Sequence, residues 1–127
     1  MNILYISPEI APFAKTGGLA DVLSALPRAM AQRGHRVALA MPLYRCVRQG
    51  GSALEPTDNV VQVPLGARVV RGRWWRSTLP QCDIPIYFLE HAEFYERDDP
   101  ASGAGLYQYR LPQGKMADYA DNCSRFI

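Results

Sequence analysis

The first 41 residues carry the pattern that most limits how this chain can fold. An apolar run over residues 2–7 leads into a loop with prolines and glycines, then into apolar residues spaced three or four apart over 18–33, and then into a second apolar run over 36–41. A continuous apolar run without alternation is typical of a strand that is covered on both faces, as in a parallel sheet. The pattern therefore predicts a strand–helix–strand unit, and such units are almost always parallel and right-handed.

The predicted helix has one apolar face, which we expect to pack on the sheet. That face comprises Leu19, Val22, Leu23, Leu26 and Met30. Pro27 lies within the pattern, but the apolar spacing continues through it without a change of phase, so we expect one kinked helix rather than two. Gly34 follows the last periodic residue and is placed to end the helix in the left-handed conformation.

The rest of the chain predicts further strands around this unit. Residues 84–89 read as another strand, and apolar pairs on either side of Arg71–Gly72–Arg73 predict an antiparallel hairpin at the sheet edge near residues 68–79. Residues 101–114 are rich in glycine, glutamine and tyrosine and are interpreted as a mobile segment, and residues 116–127 as the start of a helix. The predicted fold class is α/β, a parallel sheet with flanking helices.

Composition sets limits on size and partners. At 127 residues the chain has the length of one domain. Its formal net charge of +2 is too small to indicate nucleic acid or an anionic membrane surface as a partner. It has no signal-peptide pattern and no apolar stretch near the roughly 20 residues that a membrane span needs. We therefore expect no nucleic acid, no membrane, and a cytoplasmic location or, in a plant, a plastid one.

The three cysteines, Cys46, Cys82 and Cys123, are expected to be free thiols. Their number is odd and they share no C-x-x-C or Cys/His ligand spacing, so neither a disulfide framework nor a zinc site is indicated. Free thiols are typical of a reducing compartment.

The loop between the first strand and the helix carries the clearest functional signal. Gly17 and Gly18 can adopt backbone angles closed to other residues and leave space for a ligand to approach the main chain. The first amides of a helix attract anions, and Lys15 adds a compact positive charge that suits a phosphate. The loop matches neither of the common glycine-rich phosphate motifs, so the local pattern leaves open a tight turn beside a solvated lysine.

The same stretch resembles the N-terminal signature of bacterial glycogen synthases and plant starch synthases. The matching block is Lys15–Thr16–Gly17–Gly18–Leu19–Ala20–Asp21–Val22. Further matching positions are Ser7–Pro8–Glu9, Ala25–Leu26–Pro27, Arg33–Gly34–His35–Arg36–Val37, Met41–Pro42–Leu43–Tyr44 and Tyr119–Ala120–Asp121–Asn122–Cys123–Ser124–Arg125–Phe126. The resemblance covers nearly the whole chain, although residues 46–80 match only in general character.

This resemblance implies a Rossmann-like fold, the N-terminal half of the two-domain GT-B arrangement in which two such domains face each other across a cleft. It implies transfer of glucose from ADP-glucose to the non-reducing end of an α-1,4-glucan with retention of anomeric configuration. No metal or other cofactor is expected, because basic side chains and helix amides stabilise the diphosphate leaving group in this fold. Family members are several times longer, so residues 1–127 are expected to form an incomplete first domain, with the second nucleotide-sugar-binding domain outside this chain.

The resemblance also implies catalytic roles for residues of the glycine loop. Lys15, Gly17 and Gly18 would hold the ADP-glucose phosphates, and Lys15 would stabilise the charge that develops on the leaving group. Asp21 would accept hydrogen bonds from a sugar hydroxyl. A competing interpretation is that the Asp21 carboxylate serves only the helix dipole.

Three later residues are implied in the donor and acceptor region. Tyr95 matches an aromatic residue that gives a sugar ring an apolar platform, and core packing is its competing interpretation. Asp121 and Asn122 match a pair of residues on the acceptor side. The competing interpretation is that they cap a helix.

Two other functions stay open at this point. Another transferase of the same architecture, such as a sucrose-synthase-like enzyme, would share the glycine loop but not the whole of the Lys15-to-Val22 block. A non-catalytic glucan-binding or regulatory module would use the half-domain for recognition only.

Overall fold

The computed structural model describes residues 1–126 and contains the predicted strand–helix–strand unit. Strand β1 spans Asn2–Ile6, helix α1 spans Gly18–Gln32 and strand β2 spans Arg36–Pro42. The two strands are parallel neighbours, with Asn2 opposite Arg36 and Ile6 opposite Ala40. The predicted parallel pairing is therefore confirmed.

The other elements complete a mixed sheet. They are α2 (Arg45–Gln49), β3 (Glu55–Leu65), β4 (Arg68–Thr78), β5 (Pro85–Glu90), α3 (Ala92–Tyr95), β6 (Gln108–Arg110), β7 (Met116–Asp118) and α4 (Asn122–Phe126). The main sheet has the order β1-β2-β5-β4-β3, and β6 and β7 form a separate two-stranded sheet. Strands β1, β2 and β5 run parallel, while β4 is antiparallel to both β5 and β3. The α/β fold class, with an antiparallel hairpin, is confirmed.

The hairpin is present, but its turn is not where the sequence suggested. Strands β3 and β4 pair from Leu65 opposite Arg68 outward, so the turn lies at Gly66, whose φ is +61°, and Ala67. The predicted turn residue Gly72 lies in the middle of β4 instead. A Cβ there would come within 2.6 Å of Leu89 Cδ1 and 3.1 Å of the Glu90 carbonyl oxygen. Gly72 therefore serves close packing against β5 and not a reversal of the chain.

The C-terminal part also differs from its prediction. Residues 101–114, expected to be mobile, contain strand β6, and the helix expected from residue 116 begins at Asn122, after strand β7. Backbone hydrogen bonds account for the difference, since β7 pairs with β6 in the register Gln108 opposite Asp118. Ile127 lies outside the described residues.

Helix α1 is continuous through Pro27, as predicted, but it turns a different face to the sheet. Its buried residues are Ala20, Leu23 and Pro27. Of the residues predicted to pack, Leu23 is buried and Met30 packs against the core, whereas Leu19, Val22 and Leu26 are exposed. The packed face of the helix therefore comprises Ala20 and Pro27 together with Leu23 and Met30.

The end of α1 is as predicted. Gly34 has a φ of +83°, and its amide donates to the Ala31 carbonyl over 2.9 Å. The His35 amide donates to the Met30 carbonyl over 3.2 Å, which completes the pair of bonds of a Schellman motif. The left-handed conformation at Gly34 is what lets the chain leave the helix and enter β2.

The main sheet is buried on one face and open on the other near β1. Leu39, Ile86 and Phe88 lie on the buried face and have no exposed surface. On the other face, Leu4 is 59% exposed and Ile6 is 77% exposed. Within residues 1–126, β1 is therefore covered on one face only, and the expected cover on its second face is not found in this part of the chain.

This asymmetry predicts different costs for the same substitution on neighbouring strands. Leu39→Ala should lower the free energy of unfolding by about 2–5 kcal/mol, because it leaves a cavity in the core. Leu4→Ala should change it by no more than about 0.5 kcal/mol, as an exposed position does. Urea unfolding of the two variants measures both values, and equal losses would contradict the one-sided core.

Candidate functional site

The loop that leads from β1 to α1 is held firmly at the carboxyl end of the parallel strands. The Ser7 amide donates to the Ala40 carbonyl over 3.0 Å, and the Tyr44 hydroxyl donates to the Pro8 carbonyl over 2.8 Å. Ile10 and Phe13 from the loop are buried in the core. Ligands bind at this edge in open α/β sheets. The loop is therefore anchored to the core at the edge of the sheet where a ligand site is expected.

A buried carboxylate organises the far end of this loop. Glu9 is only 3% exposed. Its Oε2 accepts hydrogen bonds from the Thr16 amide (2.6 Å), the Thr16 hydroxyl (2.6 Å) and the Tyr107 hydroxyl (2.7 Å). Burial alone would raise the pKa of Glu9, but the bonds from Thr16 and Tyr107 outweigh it and hold the pKa below its ordinary value of 4.5. The carboxylate is therefore charged at neutral pH and fixes the backbone at Thr16.

The two residues predicted to be catalytic contact each other. Lys15 Nζ donates to both carboxylate oxygens of Asp21, over 2.8 and 2.7 Å. Both side chains are about half exposed, at 51% and 59%. An exposed pair of this kind contributes little to stability, about 0–1 kcal/mol.

The two glycines leave the start of α1 open. Gly17 is the N-cap residue, provides no side-chain cap, and has an extended backbone with φ −154°. A Cβ built at Gly17 or Gly18 meets nothing within 4 Å. Neither glycine has a positive φ, so neither is required by backbone angles or by close packing within this chain, and the space over the helix start is open.

Tyr95 lies in the core, away from open solvent. It is 5% exposed and its hydroxyl donates to the Arg125 carbonyl over 2.6 Å. Its ring packs edge-on against Tyr44 and Phe94. Core packing describes its contacts in this structure, and its role in a donor or acceptor site stays a prediction.

Asp121 and Asn122 lie at the start of α4 and are engaged with other side chains. Both carboxylate oxygens of Asp121 accept from Arg97 over 2.8 Å, and this pairing holds the pKa of Asp121 below its ordinary value of 3.8. Asn122 Nδ2 donates to the Tyr107 carbonyl over 2.9 Å, and its Oδ1 accepts from Arg125 over 3.0 Å. Their placement near an acceptor stays a prediction as well.

Tyr107 connects the two groups of predicted site residues and was missed in the sequence. Its hydroxyl contacts Glu9 and Thr16, while its carbonyl accepts from Asn122. Burial, and after it the bond to Glu9, raise the pKa of Tyr107 to about 12, so the phenol keeps its proton at neutral pH. Glu9 and Thr16 lay inside the matching blocks, but nothing local in the sequence indicated that a tyrosine 98 residues away completes the network.

The described residues contain no cluster of metal-ligating side chains. Among residues 1–126, no three His, Cys, Asp or Glu side chains are grouped closely enough to hold a metal ion. Within the same range, no helix has both the length and the apolar character that crossing a membrane requires.

Comparison with known proteins places the chain in a family. The family model for the starch synthase catalytic domain matches residues 2–127. The chain belongs to this starch synthase family. It is 43% identical over 126 residues to the glycogen synthase of Syntrophotalea carbinolica and 38% identical over 126 residues to glycogen synthase 2 of Geobacter sulfurreducens. In both cases the match covers 99% of this chain and 23% of the relative.

A solved structure of the starch synthase family agrees with the fold. It is the catalytic domain of starch synthase IV from Arabidopsis thaliana bound to ADP and acarbose, matched with a TM-score of 0.66 at 30% identity. The match covers 76% of this chain and 20% of that chain. The resemblance seen in the sequence is thereby confirmed for family and fold.

The buried carboxylate network predicts how stability depends on pH. Because the pKa values of Glu9 and Asp121 are lowered in the folded state, the stability that they contribute is present above their ordinary pKa values of 4.5 and 3.8. It is lost as the pH falls through the lower folded values. Urea unfolding between about pH 7 and pH 3 should show this decline, and Glu9→Gln should reduce its steepness. An identical decline in Glu9→Gln would show that Glu9 does not contribute.

Proposed function

We propose that this chain forms the first-domain wall of a glucosyltransferase cleft that transfers glucose from ADP-glucose to the non-reducing end of an α-1,4-glucan with retention. The observation that carries the proposal is the open start of α1 at Gly17 and Gly18, beside Lys15, at the carboxyl end of β1. The names of the relatives support it, since they are glycogen synthases. The related starch synthase IV is bound to ADP, which supports the choice of nucleotide.

The chemistry needs positive charge where the sugar–phosphate bond breaks. Cleavage leaves negative charge on the β-phosphate, and fixed donors aimed at that charge lower the barrier. The amides near Gly17 and Gly18 and the positive end of the α1 dipole suit a phosphate there. Lys15 would add a full charge beside them.

Asp21 need not release Lys15 for this to happen. An ammonium group has three N–H donors, and the carboxylate of Asp21 occupies two of them. The third can be turned toward a phosphate while the pair stays intact. In this arrangement Asp21 would orient Lys15 as well as accept a sugar hydroxyl.

Local charge limits what this wall does by itself. The positive charge of Lys15 is paired with Asp21, and the loop also carries the negative charge of Glu9. A diphosphate would therefore need further cations, and we place these in a second nucleotide-sugar-binding domain outside residues 1–127. The chain spans 23% of the length of the curated relatives it matches, which leaves room for such a domain in proteins of this family.

The remaining site residues and the compartment belong to the same proposal. Tyr95, Asp121 and Asn122 would border the donor and acceptor region, and a sugar would compete with Arg97 and Tyr107 for the side chains of Asp121 and Asn122. The three cysteines are free thiols, which suits a reducing compartment. We place the protein in the cytoplasm, or in a plastid if its source is a plant.

Replacing Lys15 tests the role of the loop. The test uses a chimera in which residues 2–127 replace the matching segment of the Syntrophotalea carbinolica glycogen synthase. In this chimera, Lys15→Ala should lower turnover about a hundredfold or more, since one preorganised donor is lost. Lys15→Arg should recover only part of the rate, because a planar fork replaces a point charge. The assay is transfer of labelled glucose from ADP-glucose to glycogen.

Lys115 provides the matched control, because it is the other lysine of the chain. Lys115→Ala should leave turnover of the chimera near that of the unmodified chimera. Full activity of Lys15→Ala would reject the phosphate role.

The 127-residue chain by itself should not transfer glucose. A leaving group held on one wall stays in contact with water, where electrostatic contacts are several-fold weaker, and the alignment supplied by cleft closure is lost. Calorimetry should show weak or no binding of ADP. Turnover on the order of 1 per second would place the whole catalytic site within these residues, and tight glycogen binding that does not depend on Lys15 would favour a non-catalytic glucan-binding module.

A further inference from the structure

We propose that Glu9 and Tyr107 are positioning residues for the phosphate-facing loop, which they hold through Thr16 so that Lys15 and Gly17 face the ligand. The inference rests on the proposed function, because it assigns these residues to the same phosphate site. Both residues contact Thr16, the residue between Lys15 and Gly17.

The geometry of Thr16 is what makes positioning possible. Thr16 lies between Lys15 and Gly17, and Glu9 Oε2 accepts from both its amide and its hydroxyl, each over 2.6 Å. Because Thr16 donates two hydrogen bonds to the same Glu9 oxygen, both its backbone and its side chain are fixed. The directions in which Lys15 and the Gly17 amide leave Thr16 are then fixed as well.

Tyr107 connects this loop to residues 119–126 near the other end of the chain. Its hydroxyl lies 2.7 Å from Glu9 Oε2 and 3.1 Å from the Thr16 hydroxyl. Its backbone carbonyl accepts from the Tyr119 amide over 3.0 Å and from Asn122 Nδ2 over 2.9 Å. The ring packs edge-on against Phe126. Because these contacts fix the backbone and ring of Tyr107, its hydroxyl limits how far the Glu9 carboxylate can move.

The charge of Glu9 makes positioning distinguishable from a purely structural role. A buried carboxylate is costly unless it is fully hydrogen-bonded, and its negative charge repels a phosphate bound nearby. If Glu9 only stabilised the fold, neutralising it would remove repulsion and strengthen anion binding. If it positions the loop, the same change weakens binding in spite of the lost repulsion.

The test is a nuclear magnetic resonance titration of the 127-residue chain with inorganic pyrophosphate, which detects weak binding through the amide signals of Thr16, Gly17 and Gly18. The variants are Tyr107→Phe, Thr16→Val, Thr16→Ser and Glu9→Gln. Tyr109→Phe is the control, because Tyr109 is exposed and its ring packs on Tyr119. Urea unfolding and amide exchange at Thr16 are measured on every variant.

We expect Tyr107→Phe and Thr16→Val to weaken pyrophosphate binding about fivefold or more, a part of what one hydrogen bond to a charged group is worth, and to speed exchange of the Thr16 amide. Thr16→Ser keeps both donors and should recover most of the affinity that Thr16→Val loses. Glu9→Gln should also weaken binding, and Tyr109→Phe should not change it.

Each other outcome overturns a specific statement. Binding by the unmodified chain that is unchanged in Tyr107→Phe and Thr16→Val, or stronger in Glu9→Gln, would overturn the positioning role while leaving the phosphate site in place. If the unmodified chain does not bind pyrophosphate, the same variants are compared in the chimera, which supplies the cations of the second domain; there, Lys15→Ala binding pyrophosphate as tightly as the unmodified chimera would overturn the phosphate site itself. If Glu9→Gln does not fold, Tyr107→Phe and the two Thr16 variants decide the question, because they leave the carboxylate in place.

Discussion

The parallel pairing of β1 with β2 is the constraint on which the rest of the structure depends. It requires the chain to leave the carboxyl end of β1, cross over one face of the sheet as α1, and return at Arg36. The loop before α1 is thereby forced to the edge where ligands bind in such sheets. Buried Ile10 and Phe13 fasten that loop to the core, so the position of Lys15 follows from strand pairing and packing together.

The charged groups around this loop differ in how firmly they are held. The buried carboxylate of Glu9 stays ionised because three donors surround it and replace the water that burial removes. The exposed pair of Lys15 and Asp21 is weakly held. A hydrogen-bonded base thus carries a weakly held charged pair, and the phosphate site that we propose would use both.

The sequence predicted what is encoded locally. Apolar periodicity indicated β1, α1 and β2, and Gly34 indicated the end of α1, because each depends on residues within a few positions of one another. The predicted face of α1 was right for Leu23 and Met30 and wrong for Leu19, Val22 and Leu26, since the spacing does not show that Ala20 and Pro27 share the packed face. The hairpin turn was misplaced because Gly72 is required by its neighbour in β5, which the local sequence does not reveal.

The candidate site divides in the same way. Lys15, Gly17, Gly18 and Asp21 were predictable as a block, and the structure brings them together at the start of α1. Tyr107 was not, because its partner lies 98 positions away. Within the described residues, strand β1 forms one edge of the main sheet, with Leu4 and Ile6 turned to solvent. Such an edge is a template on which a second copy can add its own strand, so a well-packed core alone does not keep these residues monomeric in isolation.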